Sequence, residues 1–388
     1  MCALEHLAER TWDVVVVGAG PAGAMAAREL ARLNARVLLV DKARWPRGKV
    51  CGGCLNLRSL AALGRAGLED LAQASGGTPL NRFRVAAGRR RALLRLPGGV
   101  AISRERFDAA LVEAAVASGV HFESRTIATV GPGTFDHRNV ALRRAEDKTE
   151  VLARVALAAD GLGGAVLRQT GPYTSPADKG ARIGGGVMMD EAPDFYEPGT
   201  IYMACGRHGY VGLVRVEENR LDVAAAFDVQ YVKDRGGLGP AALDVLSQCG
   251  FPVIARLGDA PWKGTPALTR HAARITGHRL LVLGDAAGYV EPFTGEGIAW
   301  ALSSGLAIAP IVMEGLQEWN QSVERTWIRT YTDVVRDRQQ LCRFLSLALR
   351  HPTLVRTSVG VLAHVPVLAR PVIKQLNSSA AVERALPS

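Results

Sequence analysis

Three glycines near the start of the chain have the spacing of a phosphate-binding turn. The stretch DVVVVGAGPAGAMAAREL, residues 13–30, has four consecutive valines that predict a buried strand, followed by Gly18, Gly20 and Gly23. The first glycine permits a tight turn, the second lets the backbone approach a pyrophosphate, and the third lets the next helix pack on the strand. The helix N-terminus and its dipole then face the anion, so these residues predict binding of a phosphorylated ligand.

The residues after the glycines extend this predicted site. Pro21 begins the helix, where its missing N–H costs little, and Ala22 lies beside it in the first turn. The next predicted strand, ARVLLVD, ends at Asp41, whose carboxylate suits the diol of a ribose. NAD and FAD both satisfy this arrangement. We expect Lys42, directly after Asp41, to contact the same cofactor.

Two later stretches place polar residues at the ends of predicted elements. In AISRERFDAALVEAAVASGV, Arg104 opens an amphipathic helix and could reach a cofactor phosphate or the adenosine edge. In VALAADGLGGAVLR, an apolar strand ends at Asp160 and Gly161, and Arg168 follows on the next predicted helix. Both stretches therefore offer further contacts to a dinucleotide.

A third stretch, HRLLVLGDAAGYVEPFTGEGIAWALSSGLAIAP, predicts an apolar strand, a loop and a long helix of small residues. The positive end of that helix would face whatever the loop holds, and its glycines would let the backbone approach a flat ring. The residues of this stretch that we expect at the cofactor or the substrate are Gly284, Asp285, Pro292, Gly295, Gly297 and Ile298.

Taken together, these motifs resemble those of the FAD-dependent oxidoreductases of the glutathione-reductase type. The nearest groups are the aromatic hydroxylases, the geranylgeranyl reductases and the flavin halogenases, and the resemblance extends to about residue 330. It implies that FAD is the cofactor, that its pyrophosphate binds the first glycine loop, and that Asp285 holds the ribityl chain. It also implies catalytic positions at Pro292 and Gly295, beside the ring.

The stretch KARWPRGKVCGGCLN leaves three interpretations open for Cys51 and Cys54. The pair could be a redox dithiol or half of a zinc site. The segment also resembles the flavin-facing loop of geranylgeranyl reductases, which implies that the backbone of Cys51 and Gly52 lies over the flavin. We favour this third interpretation, in which the cysteines bind no metal. Lys49 would add positive charge near the cofactor.

The segment HGYVGLVRVEENRLDVAAAF departs from the patterns of two of these groups. It keeps Tyr210, a predicted catalytic residue facing the ring, but has Gly212 and Val214 where geranylgeranyl reductases have bulky residues, and Arg215 in place of a proline. These changes disfavour prenyl-chain reduction, and the absence of a W-x-W-x-I-P pattern disfavours halogenation. Other candidate pocket residues in the substrate domain are Met188, Met189, Tyr202, Met203 and His208.

The predicted fold is α/β, with a discontinuous Rossmann-like FAD-binding domain in residues 1–75, 100–180 and 262–335. An antiparallel substrate domain is predicted in residues 76–99 and 181–261, followed by a helical tail in residues 336–388. The hydrophobic fraction of 48% is ordinary for a globular protein. The charged N-terminus lacks the apolar core of a signal peptide, and no uninterrupted apolar run approaches a membrane span, so a cytoplasmic protein is expected.

The predicted function is that of an FAD-dependent monooxygenase, which would use a flavin hydroperoxide on a lipophilic or polyketide-like phenolic substrate. NAD(P)H would serve as a transient electron donor, because no second dinucleotide motif is present. The alternatives are a C=C reductase or dehydrogenase of the geranylgeranyl-reductase type, and a flavin-binding protein without turnover. The net charge of +10 comes with no nucleic-acid motif, and the basic apolar tail could either cap the fold or contact a membrane surface.

Overall fold

The computed structural model describes residues 4–377 except for 165, 167–172, 174, 253 and 292. The predicted positions Pro292 and Arg168 therefore lie outside the described residues. The strands are β1 (Trp12–Val17), β2 (Val37–Val40), β3 (Cys54–Leu55), β4 (Thr78–Pro79), β5 (Arg82–Ala87), β6 (Arg90–Arg95), β7 (Val100–Ala101), β8 (His121–Glu123), β9 (Ile127–Gly133), β10 (Arg138–Arg144), β11 (Asp147–Ala158), β12 (Ile183–Met189), β13 (Thr200–Gly206), β14 (Gly209–Arg215), β15 (Leu221–Phe227), β16 (Lys263–Ala267), β17 (Arg270–His271), β18 (Thr276–Gly277), β19 (Leu280–Val282) and β20 (Gly288–Tyr289).

The helices alternate with these strands in the first half of the chain and dominate its end. They are α1 (Pro21–Arg32), α2 (Leu57–Arg65), α3 (Leu71–Ala74), α4 (Arg104–Ala117), α5 (Val229–Arg235), α6 (Leu238–Gln248), α7 (Gly297–Gln317), α8 (Gln321–Tyr331), α9 (Asp337–Ala348), α10 (Pro352–His364) and α11 (Arg370–Asn377).

The first sheet has eight strands, and its central part is parallel. β1 pairs in parallel with β2 and β11, β2 pairs with β8, and β11 pairs with β19. β10 pairs antiparallel with the first half of β11, and β9 pairs antiparallel with β10. The valines of β1 are 0–5% exposed, because β1 is a central strand of the sheet and α1 packs on it. α1 packs on α4 and α7, and this arrangement brings the ends of β1, β2 and β11 to one edge.

Helix α7 has the length and apolar composition of a membrane span, although its sequence contains two serines. It is 21 residues long, and its most apolar 18-residue window has a mean hydropathy of 1.4 and is 78% buried inside the protein. Packing on α1, α2 and α8 accounts for this composition. The helix is therefore a core element that positions the loop before it.

The second sheet has seven strands in the order β16-β12-β15-β14-β13-β5-β6, all antiparallel except for β13 and β5. One face packs on α5 and α6 around an aromatic cluster that includes Tyr196, Tyr202 and Phe251. The other face turns toward the first sheet. The strand β16 pairs with β12, so residues 263–267 lie in this sheet, just beyond the limit expected from sequence. The domain limits otherwise stay a prediction.

The tail contains the predicted helices. α9 buries Gln339, Cys342 and Ser346, and α10 packs over β5 and β6. Arg338 of α9 donates a hydrogen bond to the backbone oxygen of Gln375 in α11, which joins the two helices. The predicted α/β fold with a Rossmann-like body is confirmed.

Candidate functional site

A cavity of about 1250 Å³ lies between the edge of the first sheet, the inner face of the second sheet and the tail helices. Single small-molecule sites usually measure about 300–1,000 Å³, so this cavity has room for a large cofactor together with a second molecule. The predicted site residues that line it are Gly18, Gly20, Pro21, Ala22, Asp41, Lys42, Lys49, Cys51, Gly52, Arg104, Asp160, Gly161, Tyr210, Asp285, Gly295, Gly297 and Ile298.

The first glycine loop is shaped by contacts that exclude any side chain at two positions. Gly18 has a φ of +104°, and a Cβ there would lie 2.4 Å from the Ala159 backbone oxygen. A Cβ on Gly23 would lie 1.9 Å from the Gly18 oxygen, which explains the close packing of α1 on β1. At Gly20 the nearest atom would be Nη2 of Arg47 at 3.6 Å, so this part of the backbone faces the open cavity.

Asp41 organises the loop. Its Oδ2 accepts a hydrogen bond from the Ala19 N–H at 2.8 Å, and its Oδ1 accepts one from the Ala43 N–H at 2.8 Å. Arg47 Nη2 lies 3.8 Å from Oδ2, and the Asp41 side chain is 8% exposed. The carboxylate therefore lies at the end of β2 beside the glycine loop, the position at which the sequence predicts a contact with a ribose.

Arg104 is held in one orientation by Asp108, one turn later in α4. Its Nε and Nη2 donate to the two oxygens of Asp108, both at 2.7 Å, and Nη1 of Arg47 lies 3.4 Å from Asp108 Oδ2. Burial alone would lower the pKa of Arg104, but the adjacent carboxylate outweighs it and raises the pKa. Arg104 therefore stays a cation at the cavity wall.

Lys49 lies between the Asp160-Gly161 motif and the Gly284-Asp285 motif. Its ammonium nitrogen lies 3.7 Å from Oδ2 of Asp285, and it would be 3.1 Å from a Cβ on Gly161. Asp160 accepts a hydrogen bond from the Val166 N–H at 2.9 Å. The Asp-Gly and Gly-Asp pairs, distant in sequence, thus meet around the Lys49 side chain.

Gly284 and Gly295 serve different purposes in the third motif. Gly284 has a φ of +62°, and a Cβ on it would lie 2.7 Å from the Ala22 Cβ, so this glycine permits packing and does not line the cavity. Gly295 has a φ of +70°, and a Cβ there would meet no atom within 4 Å. The backbone before α7 therefore faces open space at the positive end of the helix.

A buried ion pair supports this loop from behind. Nη1 of Arg58 lies 3.0 Å from Oε1 of Glu296, and the two side chains are 0% and 2% exposed. The Sγ of Cys342 donates to Oε2 of Glu296 at 3.2 Å. Burial and the nearby Glu296 raise the pKa of the Cys342 thiol, so α9 is joined to the loop by a protonated thiol.

The second sheet contributes aromatic and sulfur-containing side chains to the cavity. Tyr210 contacts Phe293 edge-on, with ring centroids 5.1 Å apart. Its hydroxyl is buried and has no hydrogen-bond partner among the described residues. Burial, followed by the charge of Glu291, raises the pKa of Tyr210 well above its usual range, so the hydroxyl keeps its proton.

Several candidate pocket residues lie elsewhere. Met203 lines the cavity, whereas Tyr202 belongs to the aromatic cluster on the opposite face, because successive residues of a strand alternate between faces. Met188, Met189 and His208 are not among the lining residues. Four of these five residues lie in strands, and His208 lies in the turn between β13 and β14, but only Met203 lines the cavity.

Cys51 and Cys54 are free thiols at the edge of the cavity. The Sγ of Cys54 donates to the Gly52 backbone oxygen at 2.9 Å, and burial raises the pKa of this thiol well above its usual range. A reactive dithiol needs a thiolate, so this environment favours the interpretation of the segment as a shaped loop.

Within the described part of the chain, three residues of types that can bind a metal ion lie close together outside the Cys51–Cys54 segment. Ligand atoms of His6, His121 and Glu123 lie within 4.8 Å of one another, but they lie outside the cavity lining, and Glu123 also forms an ion pair with Arg144.

Some residues of the site are not among those predicted from the sequence. Asp108 follows Arg104 by four residues, a spacing that predicts an ion pair on one helix face and could have been noticed. No local signal marks Phe83 or Phe293 as site residues, because sheet pairing and loop placement bring them to the cavity. The tail residues that line the cavity include Leu345, Leu349, Val355, Leu362, Ile373 and Leu376.

The residues present fit an FAD molecule. The open backbone at Gly20 and Gly295 lets a ligand approach without a side chain between them. Cations from several segments line the cavity and would balance a diphosphate, namely Lys42, Arg47, Lys49 and Arg104. The assignment of each residue to a particular part of the cofactor stays a prediction.

Known proteins are similar to this chain in sequence and in fold. Residues 11–234 match the family model described as an FAD binding domain. The chain is 28% identical to digeranylgeranylglycerophospholipid reductase 1 of Methanopyrus kandleri, over 83% of this chain and 85% of that protein. It is 25% identical to the menaquinone reductase of Mycobacterium tuberculosis, over 89% and 86% of the two chains.

Two further comparisons define the extent of the similarity. The chain is 26% identical to Conditioned medium factor receptor 1 of Dictyostelium discoideum, of which the alignment spans 65%. A solved structure of a geranylgeranyl bacteriochlorophyll reductase-like protein from Thermoplasma acidophilum shares the fold, with a TM-score of 0.73 at 19% identity and coverage of 97% and 96%. Since the family model covers more than half of the sequence, the chain belongs to the FAD binding domain family of FAD-dependent oxidoreductases.

Proposed function

We propose that this protein is an FAD-dependent reductase that saturates C=C bonds in an apolar, prenyl-type lipid. The observation that carries the proposal is the lining of the cavity beyond the glycine loops, where the second sheet and three tail helices contribute almost only aliphatic and aromatic side chains. Such a wall suits a long hydrocarbon chain, because contact with water is replaced by apolar contact along its length. Two relatives named as reductases, one of digeranylgeranylglycerophospholipid and one of menaquinone, support it.

The departure at Gly212 has a structural compensation. Gly212 of β14 lies opposite Met203 of β13, and a Cβ on Gly212 would lie 3.3 Å from the Met203 Cε. The space of the bulky residue expected at position 212 is therefore filled by a side chain from the neighbouring strand. Val214, the second departure, is buried outside the cavity lining. Gly212 and Val214 are therefore compatible with the proposed reduction of a prenyl chain.

The chain's own residues would bind and orient the reactants. FAD would supply the electron pair at its ring, and NAD(P)H is the proposed source of those electrons. Tyr210 would donate a hydrogen bond or a proton to the substrate, because its hydroxyl is protonated and buried at the cavity wall. Arg182 lies behind it, with its guanidinium carbon 6.0 Å from the ring centroid, and forms a buried ion pair with Glu291 at 3.0 Å.

Monooxygenation, as predicted from the sequence, is the second candidate. Phe83, Tyr210, Tyr289 and Phe293 place four aromatic rings at the cavity, which suits a flat phenolic substrate. In this case oxygen would be consumed in step with product.

One experiment separates the two candidates. The holoenzyme is reduced without oxygen and mixed with menaquinone, a geranylgeranylated phospholipid or a phenolic polyketide, followed by mass spectrometry. We expect anaerobic reoxidation of the flavin by a prenyl lipid, with a mass gain of two hydrogens per bond that, for menaquinone, persists after any quinol has been oxidised in air. Reoxidation only when oxygen is admitted, with oxygen incorporated into the phenol, would replace the reductase with the monooxygenase.

A further inference from the structure

The tail carries an unusual share of the exposed apolar side chains. Eight lie between residues 344 and 372, and eight others are scattered over the rest of the described chain. Isolated exposed apolar residues are normal, but a dense group marks an interaction surface. The tail members are Phe344, Leu347, Leu354, Val361, Val365, Val367, Leu368 and Val372.

This apolar group lies at the open side of the cavity. Phe344, Leu354, Leu368 and Val372 line the cavity and are still 40–68% exposed. Leu347 and Val367 are 61% and 49% exposed and do not line it. Apolar surface therefore continues from the cavity onto the outside of the protein.

The charge of the same surface is mainly positive, although Arg343 and Arg350 form ion pairs with Asp178 and Glu291. Residues 338–377 contain five arginines and one lysine and no acidic residue. The turn between β5 and β6 adds arginines at the side of α10, since Arg90 packs against Gly360 and Nε of Arg356 lies 3.6 Å from the Cβ position of Gly88. Within the described ranges, no acidic side chain forms an ion pair with Arg89, Arg90, Arg356, Arg370 or Lys374.

We propose that the tail helices α9–α11 and the arginine turn Arg89–Arg91 form a docking surface for an anionic phospholipid bilayer. Apolar side chains flanked by cations are the pattern of helices that lie in the membrane interface. A second copy of the chain fits the surface less well, because a two-fold contact would bring this basic surface against itself. The inference rests on exposure and charge, and it holds whichever reaction the cavity performs.

Vesicle co-sedimentation of the full-length holoprotein tests the proposal. The probes are vesicles of phosphatidylcholine alone and of phosphatidylcholine with one quarter phosphatidylglycerol, at low and high salt. We expect sedimentation with the anionic vesicles that falls at high salt, because salt screens the attraction. Each neutralised arginine is expected to weaken partitioning roughly five-fold.

Two variants and a matched control locate the surface. Arg89→Gln/Arg90→Gln/Arg356→Gln removes charge, and Leu347→Ser/Val367→Ser removes apolar area without touching the cavity lining. The control, Phe135→Ser/Arg143→Gln, makes the same kinds of change on the hairpin of β9 and β10, where Phe135 is 81% exposed. We expect weaker binding for the first two and wild-type binding for the control, with FAD content unchanged in all three.

Several results would overturn the proposal. One is the absence of wild-type sedimentation with anionic vesicles at low salt, and another is equal binding to both kinds of vesicle. Loss of binding in the Phe135 control but not in the tail variants would place the surface elsewhere. A dimer in sedimentation velocity that the Leu347→Ser/Val367→Ser variant dissociates, without vesicle binding, would assign the surface to a second copy.

Discussion

Lys49 and Asp285, from opposite halves of the sequence, form an ion pair of 3.7 Å between the ammonium nitrogen and Oδ2 inside the cavity. Both side chains are partly exposed, at 34% and 22%, so the pair adds little to the stability of the bare protein. Its position between the Asp-Gly and Gly-Asp motifs is what matters for binding.

Replacing Asp285 should weaken FAD binding much more than it weakens the fold. A carboxylate that accepts ribityl hydroxyls contributes on the order of 1–3 kcal/mol, so we expect Asp285→Ala to lower FAD affinity roughly 5- to 150-fold. Fluorescence titration of the apoprotein measures it, with the exposed Asp259→Ala as the control. Equal FAD affinity in the Asp285 variant would remove this residue from the cofactor site.

Two glycines of the first loop should respond differently to alanine. Gly23→Ala would force a methyl group against the Gly18 oxygen, so overpacking should cost about 1–3 kcal/mol or more of unfolding free energy. Gly20→Ala has room in the bare protein and should keep its stability, but its methyl group should hinder the pyrophosphate. Urea unfolding and FAD titration of both variants check this, and a stable Gly23→Ala protein would contradict it.

The Arg58–Glu296 pair should be essential to stability. Arg58→Met leaves a buried carboxylate without its cation, and breaking such a pair costs about 3–5 kcal/mol. The double variant Arg58→Met/Glu296→Gln should recover part of that loss, because no unpaired charge remains. Chemical denaturation of the single and double variants measures the recovery, and additive losses would show that the two residues act independently.

Asp222 predicts a pH dependence of stability. Burial, aided by the charge of Glu217, raises the pKa of Asp222 from 3.8 to about 8. Between these values the folded chain holds a proton that the unfolded chain has released, so this stabilisation is complete below pH 4 and is lost as the pH rises through about 8. Asp222→Asn should flatten the fall in unfolding free energy between about pH 4 and 8. An unchanged slope would show that Asp222 is ionised in the folded protein.

Tyr210 should matter for turnover and not for folding. Its hydroxyl has no partner among the described residues, so Tyr210→Phe should leave the unfolding free energy nearly unchanged. We expect the variant to have a lower kcat with the same FAD content. In the unaltered protein the pH–rate profile should show no titration of Tyr210 up to about pH 10, because the pKa of Tyr210 is raised. Wild-type kcat in the variant would exclude the hydroxyl from the reaction.

The sequence alone determined the parts of this protein that depend on neighbouring residues along the chain. The valines of β1 and the glycine spacing predicted a buried parallel strand, a tight turn and a close helix, and the contacts of Gly18 and Gly23 show why no other residue fits. The four-residue spacing of Phe107 and Leu111 puts them on one face of α4, and both are fully buried. These features are local, because backbone sterics and helical or strand periodicity set them.

Only the tertiary structure decided which of these elements meet. It brought Lys49 to Asp285, paired Arg58 with Glu296, and set Met203 opposite Gly212, since sheet register and loop placement are long-range properties that no local pattern encodes. It also decided which face of β13 each residue occupies, so that Met203 lines the cavity and Tyr202 does not. The sequence shows that the tail is basic and apolar. Its position as a wall of the cavity depends on where α9–α11 pack, which is determined by contacts between apolar surfaces that are far apart in sequence.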